Sequence, residues 1–147
     1  MVCFYETTDS RIARWTPGRY KHVACFGQIP GQRLWVFYSW AFGQTVVQVA
    51  PDYAADPFIG DFVTNALQVD FVTPLAPRCF TWNILGLCVP HVAQLIGASS
   101  RALRPDRFLA DLLRQGGKVI GDFGRGQATR GSAEPDRSGE GASRPAG

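Results

Sequence analysis

The chain has 147 residues, 46% of them apolar, with 15 Lys and Arg against 12 Asp and Glu for a formal charge of +3. That length holds one domain with a modest core, and so mild a positive excess does not by itself argue for a nucleic-acid surface. Cys3, Cys25, Cys79 and Cys88 contain no C-x-x-C pair, and with only two histidines the usual ligand spacing of a structural zinc site is missing.

The start of the chain, MVCFYETTDSRIARW, carries acids early and no continuous apolar run, so it does not read as a signal peptide. Reduced thiols in a cytoplasmic protein are the expectation. Thr16-Pro17-Gly18 signals a turn, and Arg19 to Phe26 reads as a strand ending at Gly27. Alternation puts His22 on one face with Tyr20, Ala24 and Phe26, and Cys25 on the other. Pro30-Gly31-Gln32 makes a hairpin turn into an aromatic strand, Leu34 to Trp40, which Gly43 ends. Gln44 to Val49 alternates polar and apolar residues and predicts a third strand with one face buried. Three strands in series imply an antiparallel meander.

Between Pro51 and Pro77, Asp52, Asp56, Asp61, Pro57 and Gly60 suggest loop with a turn of helix, and Gln68 to Thr73 a further strand. From Thr81 to Ala98 the chain is fairly apolar, but Asn83, Pro90, His91 and Gln94 interrupt it, which predicts core rather than a membrane span. A short helix is predicted to begin near Cys88, with Pro90 in its first turn and Gly97 as its stop. A second opens at Arg104-Pro105-Asp106, aligns Phe108, Leu109, Leu112 and Leu113 on one stripe, and closes at Gly116-Gly117. Arg101, Arg104, Arg107, Arg114 and Lys118 around it, with Asp106 and Asp111 among them, read as a solvated face. Residues 121 to 147 hold one large apolar side chain, Phe123, too little to offset the cost of ordering, so they are expected to form a disordered tail. The expected organisation is a single α+β domain over residues 1–120, a small antiparallel sheet with two C-terminal helices on one face or end, and the tail as a candidate tether for a protein partner.

The candidate chemistry centres on Cys88. At the start of a helix, orphan amides and the helix dipole favour a thiolate. A cysteine enzyme also needs a base within hydrogen-bond reach, donors for the oxyanion, and a polar group to orient the base. His22 is the first candidate base and His91, one helical turn beyond Cys88, the second. Ser39, Gln44 or Gln48 on neighbouring strands could orient the imidazole, with Gln48 preferred for its place in a clearly alternating strand. The Cys88 backbone N–H and the Asn83 side chain are candidate oxyanion donors. The competing reading makes Cys88 a small hydrophobe between Leu87 and Val89, and His22 a packed strand residue. Cys25 lies on the face opposite His22 by alternation, Cys3 and Cys79 have weaker cases, and Trp15, Trp35, Trp40 and Trp82 read mostly as core.

The order of His22 in YKHVACFG, a strand hairpin, and Cys88 in LCVPHVAQLIG resembles the circularly permuted papain-like group, which includes the lecithin retinol acyltransferase-like proteins. The run from Cys88 through Gly97, followed by Arg104-Pro105 and Leu109 to Gly117, resembles small phage and prophage proteins of this type. The resemblance covers roughly residues 19 to 118. It implies a thiol hydrolase of peptide, isopeptide or amide bonds, or an acyltransferase with the same Cys-His pair, and no cofactor. Two positions depart from the pattern: Leu87 precedes the cysteine where a polar residue is usual, and the second strand carries no histidine or acid. A non-catalytic assembly or interaction protein of phage origin is the alternative from another class, and it would keep Cys88 unreactive and buried away from His22.

Overall fold

Six strands, Val2–Tyr5 (β1), His22–Gln28 (β2), Leu34–Ala41 (β3), Gln44–Pro51 (β4), Ala66–Asp70 (β5) and Lys118–Asp122 (β6), pair as one antiparallel sheet in the order β4-β3-β2-β1-β5-β6. The computed structural model describes residues 1–7, 15, 17–41, 44–72 and 87–122, with Ala41 described by its backbone alone. Gly43 and the tail from residue 123 lie outside the described residues. β2, β3 and β4 form the expected meander. The turn between the first two is closed by Ile29 N–H donating to Leu34 O at 2.9 Å and Gln32 N–H to Ile29 O at 3.0 Å. Gly31 there takes φ +73°, a conformation that costs glycine nothing.

The described helices are Asp56–Val63 (α1), Cys88–Leu95 (α2) and Pro105–Arg114 (α3), and a single 3-10 turn at Asp52–Ala54 precedes α1. Among the described residues no helix is long and apolar enough to cross a membrane. The two C-terminal helices start and stop where expected: Pro105 lies in the first turn of α3, Gly97 follows α2 at φ +69°, and Gly116 follows α3 at φ +94°.

Strand alternation gives the sheet two apolar faces, and each is covered. On one, Val2, Phe4, Val23, Cys25, Tyr38, Leu67 and Val69 pack with Val89, Val92 and Ala93 of α2 and Phe108 and Leu112 of α3. On the other, Cys3, Phe26, Phe37 and Ala66 pack against Phe58, Ile59, Phe62 and Val63 of α1. The expectation of helices on one face or end is therefore corrected: the stretch after Pro51 is a full helix, because Phe58, Ile59, Phe62 and Val63 fall on one helical stripe. β4 also departs from expectation. Gln44 to Val49 are exposed on both faces, because β4 is the last strand of the sheet.

The N-terminal β1, absent from the sequence expectation, is a central strand, paired with β2 on one side and β5 on the other. Phe4, fully buried, meets Tyr20 edge-on at 5.7 Å and Phe108 at 6.0 Å between ring centroids. The segment leading into β2 is tied to α3. Asp106, in the first turn of that helix, accepts hydrogen bonds at Oδ1 from the backbone N–H of Arg19 (2.9 Å) and Tyr20 (3.3 Å).

Candidate active site around Cys88

Cys88 is the first residue of α2, which packs on the face of the sheet formed by Val23, Cys25 and Tyr38. The backbone amides of Val23 on β2 and of Cys88 and Val89 in the first turn of α2 act on the thiol to lower its pKa. The pairing of β2 with β3 begins at Ala24 opposite Ser39, so the Val23 amide lies just past the last position paired with β3, where it favours the Cys88 thiolate. These donors favour a thiolate, but burial is the larger effect and pushes the Cys88 thiol above its ordinary value. The helix-start amides favour the thiolate as expected, but desolvation of the charged sulfur outweighs them.

His22 lies on the other face of the sheet. It sits opposite Tyr5 of β1, ring centroids 5.7 Å apart, and Tyr5 donates its hydroxyl to Phe62 O of α1 at 2.7 Å. The His22 Nε2 is 3.1 Å from Ser39 Oγ, on the residue that faces Ala24, the α1-side neighbour of Phe26. His22 and the amide that meets Cys88 are adjacent in sequence, yet no hydrogen bond joins His22 to Cys88 among the described residues. The expected Cys88-His22 pair is corrected for a simple reason: α2 settled on the Cys25 side of β2, and alternation turns His22 away from it. Burial lowers the His22 pKa below 6.5.

Of the three residues expected to orient His22, Ser39 does so. Gln48 faces Phe37 and is exposed on the edge strand, and Gln44 is exposed at the start of β4. Gln48 is displaced from its expected role because β3 lies between it and β2.

His91 is on the same side as Cys88. Its ring stacks on Trp40 with centroids 4.2 Å apart and planes 14° from parallel. Trp40 follows Ser39 as Val23 precedes Ala24, so the tryptophan beneath His91 and the amide at the Cys88 sulfur occupy neighbouring positions at one end of β2 and β3. With His91 three residues after Cys88, the helix brings both groups over that corner. Partial burial lowers the His91 pKa, leaving a neutral imidazole at neutral pH. The sequence marked His91 by its spacing, but only the stacking partner on β3 identifies which side it serves.

Cys3 and Cys25 are buried in opposite layers, and burial raises both thiols to about 12. They are inert core residues. Cys79, Trp82 and Asn83 lie outside the described residues, so the proposed oxyanion role of Asn83 has no placement. Among the described residues no group of three or more His, Cys, Asp or Glu gathers as a metal-ligand set. No protein family matches the chain, and no curated protein or solved structure is similar to it at a significant level.

Proposed function

We propose that the chain is a thiol hydrolase of peptide, isopeptide or amide bonds with Cys88 as nucleophile and His91, rather than the strand-borne His22 of the papain-like pattern, as base. The observation that carries this reading is the corner just described: Cys88 opens α2 over the Val23 end of β2, while His91, one helical turn on, stacks on Trp40 at the same end of β3. Because burial keeps the thiol protonated, the proton leaves during attack rather than beforehand. Sulfur bonds to the carbonyl carbon as His91 accepts the thiol proton, the amine departs with that proton, and water then hydrolyses the thioester, regenerating the thiol. An amine or hydroxyl acceptor in place of water would make the same parts an acyltransferase. The substrate class rests on the resemblance of the Cys88 segment LCVPHVAQLIG to papain-like proteins.

A second reading, the non-catalytic interaction protein, has its own support: burial raises the Cys88 thiol and His22 lies on the opposite face of the sheet. In that reading the His22–Ser39 hydrogen bond at 3.1 Å is a packing contact on the α1 face, out of reach of the thiol. The two are separated by labelling the folded protein with limiting iodoacetamide across pH 5 to 9, locating the modified cysteine by mass spectrometry, and assaying acyl-amide turnover in parallel. Cys88→Ser should abolish labelling at that site and all turnover. His91→Ala should reduce both at least tenfold while His22→Ala leaves them near wild type. Labelling of Cys88 that is slow and indifferent to both histidines would sink the enzyme reading and leave the non-catalytic interaction protein.

A further inference from the structure

The outer edge of β4 carries a self-complementary pattern. Asp52 N–H donates to Arg33 O at 2.9 Å, which fixes the phase of the ladder with β3: even-numbered residues of β4 bond inward. Thr45, Val47 and Val49 therefore direct their backbone N–H and C=O groups away from the sheet. The next residue in that phase, Pro51, has no N–H, so the pairable stretch ends there. Val47 is 54% exposed and Val49 59% on the face of Tyr38, and Val46 is 41% exposed on the face of Ser39, so among the described residues no element covers either side of the edge.

Natural edge strands are usually protected by charge, brevity or bulges. The opposite edge, β6, has such protection: Lys118 and Asp122 at its ends and a register shift at Gln68/Val69 in its ladder. Gln44 to Pro51 carries no charged residue.

We propose that two copies of this chain pair edge to edge through β4, antiparallel about a two-fold axis at Val47. Only this phase joins outward groups to outward groups using all three residues: Thr45 meets the second copy's Val49, Val47 meets its own equivalent, and Val49 meets the second copy's Thr45. Each such pair exchanges two bonds, about six in all. The same register aligns a continuous β-branched stripe on one face, the side-chain combination that favours cross-strand packing. Because the strand is uncharged, no like charges are brought together, which is why a second copy is the occupant the edge fits. The contact is isologous and closes on itself as a dimer.

The test uses the full chain in size-exclusion chromatography with light scattering. Wild type should show twice the 16.1 kDa chain mass. Val47→Lys should halve that mass with circular dichroism and melting unchanged. Val47→Cys should cross-link across the axis under mild oxidation, because Cα atoms of a hydrogen-bonded antiparallel pair lie about 5.5 Å apart, within disulfide range. Wild type and Val119→Cys, on β6, should not cross-link. A wild-type mass of one chain at the highest soluble concentration overturns the proposal, and points to an extended segment of another protein as the edge's partner. So does a dimer that Val47→Lys leaves intact and Val47→Cys fails to cross-link.

Discussion

Asp106 offers the sharpest test of how this fold is tied together. Its Oδ1 receives the Arg19 and Tyr20 amides across more than eighty residues of sequence, while its Oδ2, buried against Gly18, has no hydrogen-bond partner among the described residues. A charge-assisted bond contributes roughly 1.5–3 kcal/mol when buried. The Arg19 bond is exposed and the Tyr20 bond long, so their joint contribution is about 1.5 kcal/mol, to which a carboxylate in the first turn of α3 adds about 0.5 kcal/mol. Asp106→Ala should therefore cost about 2 kcal/mol, a fall of roughly 6–12 °C in Tm for a domain of this size. Asp106→Asn, which keeps an acceptor oxygen, should lose about half as much. Gly18 adds a second layer. Its φ is +119°, and a Cβ there would collide with the Asp106 carboxylate. Gly18→Ala should cost backbone strain of about 1–3 kcal/mol plus the collision, and removing the carboxylate should remove the collision. The double mutant should thus be more stable than the sum of the single changes by at least about 1 kcal/mol. Thermal melts by circular dichroism with urea titrations measure all four corners of the cycle. A Tm change under about 2 °C for Asp106→Ala, or simple additivity with Gly18→Ala, would refute the clamp.

Phe4→Ala, which removes a fully buried ring from the central strand, should cost about 3–5 kcal/mol in urea unfolding; a loss below about 1 kcal/mol would mean β1 is not the centre of the core. Cys3 and Cys25 have thiols raised from 9.0 to about 12 by burial. In the unfolded chain they ionise from about pH 9, so their stabilising contribution is full below that pH and is lost as pH rises toward 12, by up to about 1.4 kcal/mol per pH unit for each thiol. Urea midpoints at pH 8 and 10.5 should fall accordingly, and Cys3→Ala with Cys25→Ala should flatten the fall. Trp40→Ala should expose His91 and move its lowered pKa back toward 6.5 in an NMR titration, while His22, covered from the other face, should not move.

The strands of the meander were legible because their punctuation is local: Pro30-Gly31 and the run of aromatic and β-branched residues need no distant partner to be read. The same holds for α2 and α3, framed by proline and glycine. What alternation in β4 could not convey is that no layer covers it, since exposure depends on its rank in the sheet. β1 escaped because four residues beside early acids carry too short a pattern, and its strand state is imposed by β2 and β5 from both sides. α1 was obscured by Pro57, Gly60 and Asp61 interrupting a stripe that the sheet completes. At the site, Cys88 at a helix start was readable from Pro90. The face on which that helix lands is a tertiary outcome, and it decides which histidine stands beside the thiol.

The position of β1 also bears on the order in which the chain can assemble during synthesis. It is made before the other five strands, yet its partner positions at Ala66–Asp70 arrive more than sixty residues later. Until then one of its edges stays open while the β2-β3-β4 meander, built from neighbours in sequence, can already form. Closing the sheet at its centre must wait for a long loop to be drawn in, an entropic cost that slows folding more than it lowers final stability. A ribosome-stalled chain ending after β4 should accordingly be protease-sensitive throughout, and protection should appear in one step once β5 and the helices that seal Phe4 have emerged.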